Sequence, residues 1–183
     1  MINDGWLAQV NRSHSPNYNE RPPGLEIDLL VIHNISLPPG QFGGGYVQSF
    51  FANTLDSSIH PFFSEIQNLE VSSHCLIERD GSVFQFVPFD KRAWHAGRSC
   101  HQGRENCNDF SVGIELEGTD TDAYTVDQYL QLALVTRSLM SAYPEITAER
   151  IVGHSDIAPG RKTDPGESFD WERFRTALKS SQL

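Results

Sequence analysis

Four apolar residues in a row, Leu29-Leu30-Val31-Ile32, end abruptly on the polar pair His33-Asn34. A run so short and unbroken, half of it β-branched, suits a strand covered on both faces, and such strands belong to sheets with helices or loops packed on either side. The segment therefore commits the chain to a layered α/β structure and puts His33-Asn34 at the end of a buried strand. Beyond it, Leu37-Pro38-Pro39-Gly40 and Gly43-Gly44-Gly45 mark a long loop, the kind of strand-end connection on which functional groups collect.

The other elements agree with that class. Residues 73–79 and 82–87 flank Asp80-Gly81 and predict a hairpin closed by a type I′ turn. Residues 110–117 alternate, which places Phe110, Val112, Ile114 and Leu116 on one face of a strand and Gly113, Glu115 and Glu117 on the other. Thr125-Val126-Asp127-Gln128 fits a capping box that opens a helix running to about Tyr143, and its apolar residues, Val126 included, predict deep burial. A short helix is expected within 46–55 and a brief strand over 151–153, reaching His154. A last helix, capped by Asp170, carries a Trp171, Phe174 and Leu178 stripe. Residues 11–24 read as an extended segment without a hydrogen-bonded ladder of its own, within a lead-in over 1–27 that packs on one domain spanning 1–183. Strands interrupted by helices and hairpins predict an α/β fold with a mixed sheet flanked by helices.

A chain of 183 residues can bury a substantial core as one domain. Its net charge of −10 repels phosphate backbones and anionic lipid, so neither nucleic acid nor a membrane is an expected partner, and no apolar run is long enough to span a bilayer. The first residues lack the basic and apolar regions of a secretory signal. Cys75, Cys100 and Cys107 are an odd number, which favours free thiols and a cytoplasmic location. A monomer is expected.

Two imidazoles follow short apolar runs, His33 after Leu-Leu-Val-Ile and His154 after Ile-Val-Gly, so both are expected at the same end of a sheet. Ten residues past His154, Asp164 lies between two Pro-Gly turns. His, His and Asp make a zinc set that leaves a fourth tetrahedral position for water, the arrangement of catalytic zinc. The alternative is plain hydrogen bonding between strand-end histidines. An amide hydrolase of this kind needs a carboxylate to take a proton from water and return it to the leaving amine. Glu115 and Glu117 are both candidates, because alternation gives them the same face; both lying on a solvated sheet face is the competing reading. Lys162 would bring a cation to the developing oxyanion. Trp94-His95-Ala96-Gly97 reads as a groove wall. A second cluster, His74, Cys75, His95, Cys100, His101 and Cys107, lacks any paired-knuckle spacing and is not expected to bind metal.

Taken together, Val31-Ile32-His33-Asn34, Ser73-His74-Cys75, Trp94-His95-Ala96-Gly97, Gly113-Ile114-Glu115-Leu116-Glu117-Gly118 and the stretch from Gly153-His154 to Asp164-Pro165-Gly166 resemble the zinc-dependent N-acetylmuramoyl-L-alanine amidases. The longer segments 34–40, 88–97 and 108–111 are most similar to the branch of that family that acts on cytoplasmic anhydro-muropeptides. The resemblance implies a fold shared with the peptidoglycan recognition proteins. It also implies one Zn²⁺ held by His33, His154 and Asp164, Glu115 as proton acceptor and donor, and Lys162 on the oxyanion. Asn34, Trp94, His95, Ala96 and Arg161 are then the expected substrate contacts. The implied reaction is hydrolysis of the amide between anhydro-N-acetylmuramic acid and L-alanine in small recycled muropeptides, which limits β-lactamase induction. A peptidoglycan-binding module would share the groove but lack the full ligand set, and a lytic amidase would act on intact wall. The chain departs from the family pattern at Glu70 and Asn106, where arginines facing the stem-peptide carboxylates are expected. That departure predicts weaker recognition of the distal stem, unless Arg98, Arg104 or Arg161 compensates.

Overall fold

In the computed structural model, which describes residues 1–180, the apolar run lies inside a six-stranded mixed sheet. Its strands are β1 (Asn11–Arg12), β2 (Leu29–Ile35), β3 (Cys75–Ile77), β4 (Val83–Gln85), β5 (Ser111–Glu117) and β6 (Ile151–Gly153), in the order β6-β2-β5-β3-β4-β1. The central β5 runs parallel to both β2 and β3, and β6 runs parallel to β2 on its other side. The register sets Glu115 beside His33 and Gly153 beside Ile32. Three strand ends that carry polar residues thus arrive together, as expected at the carboxyl edge of parallel strands.

Helices α1 (Tyr46–Phe51), α2 (Pro61–Ile66), α3 (Val126–Ala142), α4 (His154–Ile157) and α5 (Trp171–Lys179) cover the sheet and its edges. Leu30, Ile32, Val112, Ile114 and Leu116 pack on Tyr129, Leu132, Val135 and Leu139 of α3 and Phe174 of α5, which closes one face. Leu29 and Val31 turn the other way, toward Ala96, Cys107, Phe110 and Ile157. That second face is the one on which His33, Gly113 and Glu115 stand. The α3 capping box forms as read: Thr125 Oγ1 accepts from Gln128 N–H and Gln128 Oε1 accepts from Thr125 N–H, each at 3.1 Å. Caps of this kind contribute about 1 kcal/mol.

Four local expectations are corrected. The lead-in does form ladders: Asn11–Arg12 adds to β4, and Tyr18–Asn19 pairs with Arg92–Ala93, because each supplies backbone partners to an otherwise open strand edge. The hairpin turn is not type I′. Only Gly81 has positive φ (85°), Gly81 N–H donates to Glu78 O and Glu78 N–H to Ser82 O, so a tight turn followed by a left-handed glycine closes a three-residue loop. Phe110 precedes the strand and packs in the opposite cluster from Val112. Val126, at the first turn of α3, is 56% exposed. Among the described residues, no helix is long and apolar enough to cross a membrane.

Candidate functional site

At the carboxyl edge, β2 delivers His33, the β6–α4 junction delivers His154, and the loop after α4 brings back Asp164. The two Nδ1 atoms lie 3.0 Å apart, and Asp164 Oδ2 sits 3.1 Å from the first and 3.0 Å from the second. All three residues are at least nine-tenths buried. Three ligand atoms of a tetrahedron with bonds of about 2.0–2.1 Å are spaced about 3.3 Å apart, so this triangle is within a few tenths of an ångström of that figure.

The hydrogen-bond partners assign the protons on these rings. His154 has an acceptor at each ring nitrogen, Ala96 O 3.1 Å from Nε2 and Asp164 Oδ2 3.0 Å from Nδ1, and the Ala96 carbonyl favours the tautomer with the proton on Nε2 and Nδ1 bare. His33 Nε2 lies 2.9 Å from Nδ1 of His95, whose own Nε2 is 3.2 Å from Ser111 Oγ. The Ser111 hydroxyl donates to Cys107 O at 2.6 Å, so its oxygen accepts from His95. His95 Nδ1 is therefore an acceptor, His33 Nε2 donates to it, and His33 Nδ1 is bare as well. In these tautomers two lone pairs and a carboxylate oxygen converge, an arrangement that a cation among them relieves. The residues present fit a divalent metal of imidazole-loving type, zinc above all. Among the described residues this is the one His/Cys/Asp/Glu group close enough to hold a metal, so the Cys-containing second cluster does not assemble.

A cavity of about 400 Å³ opens over the triangle and is lined by Glu115, Lys162, Asn34 and Trp94 together with apolar side chains of α1 and α2. The structure separates the two candidate carboxylates. Glu117 is consumed: it accepts from the backbone N–H groups of Gly43 and Arg79. Glu115 is 8% exposed, and its Oε2 has no partner within the protein. Burial pushes the Glu115 carboxyl well above the usual carboxylate range; Asp164 adds to the rise and Lys162 opposes it. Both carboxylates face away from the α3 side of the sheet, as alternation requires, but neither is solvated. Lys162 is exposed at the cavity mouth.

The remaining candidate contacts divide. Trp94 lines the cavity with its indole N–H donated to Asn19 Oδ1. Asn34 also lines it, while its amide donates to Asp120 and Pro165 O, which ties β2 to the loop that carries Asp164. His95 borders the cavity, yet both its ring nitrogens are engaged by His33 and Ser111. Ala96 is fully buried and meets the site through its carbonyl, which accepts from His154 and from Arg161. Arg161 borders a neighbouring cavity with Arg98 and Asn106. Arg104 is committed to Asp28 and lies over the Phe110 ring.

Sequence reasoning missed a polar layer behind the histidines. Arg21, from the lead-in, donates to the carbonyls of Asn108, Asp109, Phe89 and Ser111. Burial lowers its pKa only to about 10, so it stays charged at neutral pH. His74 beside it accepts from Gly113 N–H at Nδ1 and donates from Nε2 to Lys91 O. The sequence named His74 only within a motif and a rejected cluster and did not mark Arg21, since the partners of both lie on distant segments. Burial pulls His74 down to about 3, with the Arg21 cation adding. The unfolded chain, with an ordinary histidine near 6.5, then binds a proton that the fold refuses. Stability from this group is present above about pH 6.5 and is lost as pH falls toward 3, by at most about 1.4 kcal/mol per pH unit. Denaturant unfolding between pH 4 and 6.5 should show that slope, and His74→Gln should flatten it by close to one proton; an unchanged slope contradicts the assignment.

Comparison with known proteins follows the same lines. Residues 23–167 match the N-acetylmuramoyl-L-alanine amidase family. The 1,6-anhydro-N-acetylmuramyl-L-alanine amidase AmpD of Escherichia coli is 61% identical over 178 residues, covering 97% of each chain. The crystal structure of a selenomethionine derivative of AmpD superposes with a TM-score of 0.94 at 59% identity, over 97% of this chain and 99% of that one. The E. coli amidase AmiD, solved in complex with the substrate anhydro-N-acetylmuramic acid-L-Ala-D-γ-Glu-L-Lys, superposes with a TM-score of 0.62 at 27% identity, over 88% of this chain and 65% of that one.

Proposed function

This chain belongs to the N-acetylmuramoyl-L-alanine amidase family, and from that premise we propose that it hydrolyses the amide between 1,6-anhydro-N-acetylmuramic acid and L-alanine in small muropeptides. The observation that carries the reading is the convergence of His33 Nδ1, His154 Nδ1 and Asp164 Oδ2 beneath a cavity wall that holds the unpartnered Glu115 carboxylate. Zinc in that triangle supplies Lewis acidity, which brings the pKa of water from about 15.7 toward 7 and polarises a carbonyl.

Within the site, the Glu115 carboxylate, which lines the cavity, takes the proton of the attacking water. Its raised proton affinity lets it keep that proton until the alanine nitrogen needs one to leave, so one carboxylate serves both steps. The Lys162 ammonium at the mouth meets the negative charge that develops on the carbonyl oxygen. Trp94 and the phenylalanines of α1 and α2 offer flat apolar surface to the sugar and the first stem residues. His33 and His154 hold their protons on Nε2 and present bare Nδ1 atoms throughout.

We further place the protein in the cytoplasm as a monomeric single domain over 1–183. The three free thiols support that placement, and the AmpD relatives support a role in peptidoglycan recycling, which we extend to limiting β-lactamase induction. The test is hydrolysis of anhydro-muropeptide against polymeric wall by protein of measured zinc content. Release of free L-Ala-peptide from the soluble substrate at a far higher rate supports the reading, and preference for intact wall contradicts it.

Glu70 is exposed next to Val71 of the cavity wall, and Asn106 is exposed on the neighbouring cavity. A carboxylate and an amide there give a stem carboxylate less to bind than arginines would. Of the possible compensators, Arg104 is already paired and Arg161 spends its guanidinium on Ala96 O and Arg98 O, which leaves Arg98, beside Asn106, as one cation where two are expected. Shortening the stem from tetrapeptide to dipeptide should therefore cost less in kcat/KM here than in a relative bearing both arginines. Equal penalties in the two enzymes refute this.

A further inference from the structure

The His33–His95–Ser111 chain does more than pack the site. We propose that His95, anchored by Ser111, is a positioning residue that fixes the proton of His33 on Nε2 and so presents Nδ1 as a metal-ligating lone pair. The inference rests on the metal reading above and concerns how this chain prepares one ligand. An isolated neutral imidazole carries its proton on either nitrogen, and only the tautomer with bare Nδ1 can bind at the triangle. The selection is made by the far end of the chain: Ser111 gives its only proton to Cys107 O at 2.6 Å, so it accepts from His95 Nε2 at 3.2 Å, and His95 Nδ1 accepts from His33 Nε2 at 2.9 Å. The other ligand, His154, obtains the same tautomer more directly from the Ala96 carbonyl.

The strand is built to admit this ring. A Cβ added at Gly113, between Ser111 and Glu115 on the same face of β5, would lie 2.5 Å from the His95 imidazole. Gly113 has no positive φ that would demand glycine, so the missing side chain serves the close approach of that ring. Partners of this kind, bonded to the far nitrogen of a ligating histidine, are typically worth about 10–100-fold in metal affinity.

The experiment compares zinc affinity, by competition with a chelator, in wild type, His95→Phe, His95→Asn and Gly113→Ala, and records imidazole ¹⁵N–¹H correlation spectra of the metal-free proteins. His95→Phe keeps a ring but no acceptor, and should weaken zinc binding about 10–100-fold. His95→Asn offers an amide oxygen near the position of Nδ1 and should recover most of that loss. Gly113→Ala leaves every polar partner in place but displaces the ring, and should lose affinity like His95→Phe; should it fail to fold, the Phe and Asn pair decides. Zinc affinity within twofold of wild type in His95→Phe overturns the proposal, as does a wild-type spectrum with the His33 proton on Nδ1. A wild type that takes up no zinc sinks the metal reading instead, and the spectrum still decides the relay, since a His33 proton on Nε2 upholds it. A merely structural His95 would lower the melting temperature of both variants without distinguishing Phe from Asn in affinity.

Discussion

Replacing Glu115 by glutamine should lower turnover by about 10²–10⁴-fold, the usual contribution of a positioned acid–base group, while making the metal-free protein more stable at neutral pH. The two effects share one cause. Glu115 is nearly buried, and its Oε2 has no partner. Burial raises its proton affinity in the fold above that in the unfolded chain. For a carboxyl with a raised folded-state pKa, the unfolded chain releases the proton first as pH rises. The favourable contribution is therefore complete below the unfolded value near 4.3–4.5 and is lost as pH climbs through the raised one. Glutamine is neutral at every pH and avoids that loss, so the variant's advantage should grow with pH above about 4.5 and level off past the folded-state value. An unpaired buried polar group typically costs about 1–3 kcal/mol, which sets the scale expected from chemical denaturation at pH 7.5. The wild-type kcat/KM profile should also show its acid limb above the ordinary glutamate value. A variant that is inactive but no more stable would mean that Glu115 is solvated; one that is stabilised yet retains near-wild-type turnover with zinc bound would remove it from the chemistry.

Most of the residues proposed for this chemistry were legible because they sit on or at the end of a simple pattern. His33 and His154 follow short apolar runs that form strands, and the parallel register then brings their ends together. Alternation put Glu115 and Glu117 on the right face, but residues two apart on a strand always share a face. The choice between them is made by the backbone of Gly43 and Arg79, far away in sequence, which occupies Glu117 and leaves Glu115 free. The lead-in was misread for a related reason. Pairs such as Asn11–Arg12 and Tyr18–Asn19 are too short to show any periodicity, and their ladders are dictated by the open edges they meet. His95 was recognised as part of the site but not in its place there. Its significance lies in a ring nitrogen 2.9 Å from His33, across 62 positions of chain, and in a glycine on a third segment that makes room for it.

Removing the metal should abolish turnover and also lower the melting temperature, because the triangle is a liability when empty of charge. In the tautomers that Ala96 and the His95–Ser111 chain favour, two bare nitrogens and a carboxylate oxygen lie about 3 Å apart and repel one another. Burial also pulls His33 down to about 4, so at neutral pH it does not ionise to neutralise Asp164. A cation that binds only the folded state, at a free concentration some 100–1,000 times its Kd, stabilises by about 2.7–4.1 kcal/mol. In a domain of this size each kcal/mol shifts the midpoint by about 2–4 °C, so chelation should cost roughly 5–16 °C. Zinc should restore both turnover and midpoint. Magnesium and calcium should restore neither, since they prefer sets built wholly of oxygen and this one is two-thirds imidazole nitrogen. Asp164→Asn separates geometry from charge: it keeps an oxygen near the triangle but drops the anion. It should therefore weaken zinc binding while keeping the site's shape. A metal-free wild type that melts at the same temperature and turns over at the same rate as the loaded protein would reduce His33, His154 and Asp164 to an ordinary buried hydrogen-bonded cluster.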